Sequence, residues 1–294
     1  MSHPCTTTVS EGAPISTTHD SCNRTICQDP SKEHDDLPNL SPPYRTVNRS
    51  GGSSRLLASN DRFVLICQFP HLSLIDQDLT VINQSLWAYG WLCDICWSSA
   101  LAGFIATTHN DVFLLGESTL SCERLDAIVE QGWFSCTCSD TSLFLSSFGR
   151  GASVSEFTLL PSIQLVKQWL SPDTCGEDEL INDIVYKNGV CALMVNNQFN
   201  KTIRMELRSS TTFNRLWSLQ LDIASSKNAI TCCSLNNTDE WLVIDCDTSR
   251  LFHITNEGKV KATREYNPKP WRACYFGPKF LVIATMGGVN VHKL

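Results

Sequence analysis

Two thiols, Cys93-x-x-Cys96, form the one CxxC pair in the chain. Thiolates at that spacing make half of a tetrahedral zinc site, or a redox couple. The next cysteines, Cys122, Cys136 and Cys138, lie too far along the chain to supply the second half of a zinc ribbon. Oxygen ligands are the other resource. Asp94, Asn182 and Asp183 could contribute to a hard-cation site, a thin start because calcium takes six to eight oxygens. Covalent catalysis has less to draw on. There is no G-x-S-x-G elbow, H-E-x-x-H pair or Walker loop, and the seven histidines are scattered without a nucleophile in register. No cofactor is expected, and the residues favour a non-enzymatic role.

The composition narrows the partners. The 294 residues include 30 acidic and 23 basic side chains, for a net charge of -7. With no lysine/arginine cluster, that balance argues against a nucleic-acid partner or a basic membrane-binding face. The opening MSHPCTTTVSEGAPISTTHDSC has neither the basic nor the apolar region of an export signal, so the 15 cysteines read as reduced thiols in the cytoplasm. Leu86 to Thr108 has the length of a membrane span, but three tryptophans, Tyr89 and the lack of basic flanks speak against one. Residues 1–42 hold no Phe, Trp or Tyr and are dense in Ser, Thr, Asp and Pro, which predicts a disordered tail. Residues 43–294 are expected to form a single domain.

The elements that must position these side chains are strands. Runs such as RFVLICQF (62–69), DVFLLG (111–116), VCALMVNN (190–197) and KFLVIATM (279–286) are short, rich in Val, Ile, Leu and Phe, and bounded by turn residues. A residue pattern marks a repeat: Leu92-Cys-Asp-Ile95, Trp133-Phe-Ser-Cys136, Ile181-Asn-Asp-Ile184, Ala229-Ile-Thr-Cys232 and Trp271-Arg-Ala-Cys274. Their last residues are 41, 48, 48 and 42 apart. Near Leu180 the unit reads INDIVY, VCALMVNN, TIRMELRS, RLWSLQLD. Four strands in about 40–50 residues is the period of a propeller blade. Six units fit from residue 44 onward, the sixth one strand short after WRACYF, KFLVIATM and VNVHKL. YRTVN (44–48) is expected to fill that place and remove an exposed edge.

This pattern resembles the β-propeller superfamily of the WD-repeat and NHL-repeat type. The Gly-His and Trp-Asp dipeptides of true WD repeats and the YWTD signature are absent. The resemblance implies an all-β, six-bladed propeller whose first strands line a central channel, with Asp94, Ser135, Asp183, Thr231 and Ala273 ringed about the axis. It also implies a monomeric platform that binds a protein or peptide. Similarity to six-bladed lactonases implies the alternative, a metal-dependent hydrolase with a channel cation on Asp94, Asn182 and Asp183.

Other residues take their expected places from the repeat. Cys136, Cys232 and Cys274 share a position with Ile95 and Ile184, which predicts cysteine acting as a small buried apolar group. Trp91, Trp133 and Trp271 precede first strands and are expected to wedge between blades. Trp87, Trp97 and Trp241 have no equivalents and are candidates for an exposed contact surface, the alternative being isolated apolar residues without a role. SPDTCGEDE (171–179) is the longest irregular connection. Its Glu177, Asp178 and Glu179 would be exposed and could steer a basic partner.

Overall fold

The structure is a computed structural model that describes residues 40–48, 56–129, 132–223, 230–235 and 238–294. The tail expected over 1–42 falls outside the described residues up to position 39; Leu40 is buried. The described residues form 24 strands and no helix. Strand β1 is Arg45–Asn48. The first full blade comprises β2 (Leu57–Ser59), β3 (Val64–Gln68), β4 (His71–Ile75) and β5 (Val81–Leu86). The second comprises β6 (Leu92–Ser98), β7 (Gly103–Thr108), β8 (Val112–Gly116) and β9 (Cys122–Arg124). The third comprises β10 (Trp133–Cys138), β11 (Ser142–Ser147), β12 (Val154–Thr158) and β13 (Gln164–Trp169). The fourth comprises β14 (Glu179–Lys187), β15 (Val190–Asn197), β16 (Thr202–Ser209) and β17 (Arg215–Leu221). The fifth comprises β18 (Thr231–Ser234), β19 (Trp241–Asp245), β20 (Arg250–Ile254) and β21 (Val260–Glu265). Finally come β22 (Pro270–Phe276), β23 (Phe280–Thr285) and β24 (Gly288–Lys293).

Each blade is a four-stranded antiparallel meander, and β1 pairs with β24 to complete the sixth. The apolar side chains sort by this arrangement. Second strands are sandwiched between neighbouring blades, so β7 is buried at every residue. Fourth strands face solvent on their outer side, so β5 and β21 alternate exposed and half-buried residues. Six apolar clusters lie between consecutive blades, and the cluster joining Leu57 and Ile66 to Phe276, Val282 and Val291 carries the packing from the last blade back to the first. Tight turns hold the edges in place. Gly258 has φ +74°, and a Cβ there would meet the Trp217 ring at 2.7 Å, so that turn admits no side chain. The membrane-length run from Leu86 to Thr108 is divided among β5, β6 and β7, and no described helix is long and apolar enough to cross a membrane.

Candidate functional site

Four first strands carry a β-bulge near their start, and the first paired residue after it is Asp94, Ser135, Asp183 or Arg272. The expected ring position in the last blade is therefore Arg272, not Ala273. Blade six places its bulge at Trp271, whereas blade three places it one residue later than its tryptophan, at Phe134. The same one-residue displacement corrects Cys274, which stands with Cys96 rather than with Cys136.

Arg272 turns the ring into a closed charge system. Its Nη1 lies 2.6 Å from Asp94 Oδ1 and its Nη2 3.3 Å from Asp183 Oδ1. All three side chains are buried. The carboxylates also accept backbone N–H groups of the next blade, Asp94 from Cys136 at 2.9 Å and Asp183 from Cys232 at 2.9 Å. Ser135 Oγ sits between them, 2.5 Å from Asp94 Oδ2 and 3.0 Å from Asp183 Oδ1, and accepts the Ile184 N–H. Burial, reinforced by Asp94, raises the Asp183 pKa to about 6, against the pull of Arg272. Burial acts to neutralise Arg272, but the two aspartates override it and hold the guanidinium charged. The positive charge facing both carboxylates is thus the chain's own. Asn182 occupies the bulge and bonds to neither aspartate, and no group of three or more His, Cys, Asp or Glu among the described residues is placed to hold a metal ion.

Residues that follow the ring line an axial cavity of about 480 Å³. Every blade contributes, from Ala58 through Cys96, Thr137, Val185 and Cys233 to Cys274. The other end is rimmed by Asn60, Arg62 and Glu117, the latter two paired at 3.1 Å. The cavity is rich in thiols but not in thiolates. Burial pushes the Cys136 thiol up to about 11 and the Cys274 thiol up to about 12, so neither is a ready nucleophile at neutral pH.

The face across from that rim differs in chemistry. It is built by the connections between blades and by the turns between second and third strands, which hydrogen-bond to one another as Trp87 N–H to Pro70 O and Met286 N–H to Lys269 O. Phe69, Leu86, Tyr89 and Trp91 are exposed there between the first two blades, with Phe69 and Trp91 rings 6.5 Å apart. Val129 and Phe148 follow at the next junction, where Phe148 packs on His109 at 4.4 Å and Phe134 at 5.6 Å. Leu170, Phe199 and Met286 continue the series. On the rim side, Leu160 and Tyr44, the latter with its ring 6.2 Å from Phe280, are the exposed large apolar residues outside the strands among those described. The exposed large apolar side chains outside the strands are thus concentrated on this face, across from the rim.

The residues singled out as contact candidates divide between core and surface. Trp87 and Trp241 are buried, with Trp87 serving as the platform under Tyr89 and Phe113; Trp97 is half-buried and lines the cavity. Trp91, expected to wedge between blades, is 65% exposed. Glu177 and Asp178 are exposed beside Leu170 on the aromatic face, with Asp178 3.7 Å from Arg150. Glu179 departs from the expected exposed trio. It begins β14, is buried, and makes a two-armed ion pair with Arg204, which also meets Glu206.

That pairing with Arg204, with a Gly176 N–H bond, lowers the Glu179 pKa from 4.5 to about 2 although burial opposes it. A lowered folded-state pKa gives stability that is present above the unfolded value and lost as pH falls through the folded one. Glu179→Gln should therefore cost about 2 kcal/mol at neutral pH, discounted for partial solvation. The gap from wild type should close as pH falls from 4.5 toward 2. Urea melts at pH 7 and pH 3 would measure it, and a gap independent of pH would refute the assignment.

Neither a family model nor a curated protein sequence matches the chain. Solved structures do. Kuenenia stuttgartiensis hydrazine synthase is similar with a TM-score of 0.62 at 13% identity, over 82% of this chain and 83% of that one. A chain in the crystal structure of a mitotic checkpoint complex is similar with a TM-score of 0.60 at 9% identity, over 94% of this chain and 99% of that one. At these identities the likeness is one of fold, and it agrees with the blades described above. The class is the six-bladed β-propeller of four-stranded blades.

Proposed function

We propose that this chain is a non-enzymatic propeller that binds another protein or a peptide through its aromatic face. The observation that carries the reading is the one-sided series of exposed apolar side chains from Phe69 to Met286, set on turns held by a rigid ring. Exposed Asp173, Glu177 and Asp178 border it, so the fitting partner combines apolar anchors with basic flanks. A chain of similar fold in a mitotic checkpoint complex supports an assembly role for such a ring. The cavity residues Cys96, Cys136, Cys232, Cys233 and Cys274 are unbridged thiols, in keeping with a reducing, cytoplasmic setting. The hydrolase alternative draws no comparable support, because Arg272 and backbone N–H groups already engage the carboxylates it requires.

A photo-crosslinking amino acid placed at Trp91 or Phe148 should trap a discrete partner in cells, while the same group at Leu165 on an outer strand should not. Trp91→Ser with Phe148→Ser should then weaken the identified complex by about 2 kcal/mol, roughly thirtyfold. Their exposure predicts a thermal stability close to wild type. Adducts from Leu165 alone, or unchanged affinity in the double variant, would exclude this face.

A further inference from the structure

We propose that Cys96 and Cys138 are a modification site that forms a reversible disulfide between the second and third blades. Their sulfurs are 3.6 Å apart across two neighbouring first strands that share no sheet. Both residues are half-buried, and Cys96 lines the axial cavity, which gives a small oxidant a path to the pair. The remaining cavity thiols are placed differently. Cys232 and Cys233 are sequence neighbours on opposite faces of β18, and Cys274 stands in the sixth blade. Cys136, although its sulfur also neighbours Cys96, is buried with that sulfur against the Ile105 carbonyl.

The chemistry closes with hydrogen peroxide as the two-electron oxidant. One thiol sulfur takes an oxygen atom from the peroxide, giving a sulfenic acid and releasing one water. The second thiol attacks that sulfur, forms the S–S bond and expels the hydroxyl as a second water. Either thiol of the pair can take the first oxidation, and the other then resolves it. A reducing thiol such as dithiothreitol reverses the bond by exchange. The link spans 42 positions of chain and joins two blades also held by packing, by the hydrogen bonds to Asp94, and by those of Ser99 to Asp140 and of the Trp133 N–H to the His109 carbonyl. It therefore restricts the unfolded chain and stiffens the mouth of the cavity.

The test is peroxide treatment of the full-length protein, followed by intact mass and non-reducing peptide mapping. The expected result is a loss of about 2 Da, a Cys96–Cys138 linked peptide that dithiothreitol removes, and a Tm raised by about 4–8 °C. Cys96→Ser or Cys138→Ser should abolish the linked peptide, and Cys136→Ser should retain it. The proposal is overturned if wild-type mapping shows these two cysteines as separate sulfinic acids, or linked to other partners. Mapping the wild-type chain makes the result independent of whether any variant folds.

Discussion

Arg272→Met is expected to destabilise the protein by roughly 3–5 kcal/mol, or to leave it insoluble, because it strands two buried carboxylates without a counter-charge. Arg272 reaches Asp94 with one arm and Asp183 with the other, and all three side chains are buried. Arg272→Lys keeps the charge but offers one ammonium to two partners, so its loss should be intermediate. The triple variant Arg272→Met, Asp94→Asn, Asp183→Asn should recover most of the loss. Its amides can still accept the Cys136 and Cys232 N–H groups, while the net buried charge disappears. Urea midpoints at neutral pH would rank the series. A single Arg272→Met variant as stable as wild type would show that the carboxylates are satisfied in another way, and would reopen the channel as a cation site.

The residue that organises the axis was hidden from the sequence by one position. The Trp271-Arg-Ala-Cys274 segment matches Trp133-Phe-Ser-Cys136 by residue type, and type is what a repeat search sees. Pairing obeys the bulge instead, and one blade sets it at the tryptophan while the other sets it one residue later. An arginine inside the otherwise apolar strand WRACYF was the available signal, since a buried arginine demands carboxylate partners. The blades themselves were legible because burial between neighbours writes a short apolar run into the second strand of each blade, recurring about every 40–50 residues.

Surface chemistry was less legible for a related reason. Connections between blades differ in length and residue type, so equivalence along the repeat does not carry into them. Trp87 and Trp91 flank the same connection, yet the first is buried beneath Phe113 and Tyr89 while the second projects outward. Glu177 and Glu179 likewise stand two residues apart in one acidic run. The start of β14 turns only the latter inward to Arg204. Apolar character there is a property of the assembled face, gathered from turns distant in sequence.

Deleting residues 1–48 rather than 1–39 is expected to lower stability by roughly 4 kcal/mol, a Tm difference of about 8–16 °C between the two truncations. The nine residues that separate them do several jobs. Leu40 is buried against Tyr266, Leu281 and Ile283. The Ser41 carbonyl accepts from buried His292, whose other nitrogen contacts Tyr266 Oη at 2.7 Å. Arg45–Asn48 pairs with Val291, Asn290, Val289 and Gly288 in turn. Without these residues β24 becomes an open edge, His292 loses a partner, and the last blade holds three strands, a combination that favours aggregation as well as unfolding. A peptide spanning 40–48 added to the shorter protein should restore part of the loss by strand addition, because the vacated edge presents the same backbone groups. Equal Tm values for the two truncations would mean that the ring closes by side-chain packing between blades alone, and that β1 is an accessory to a fold already complete.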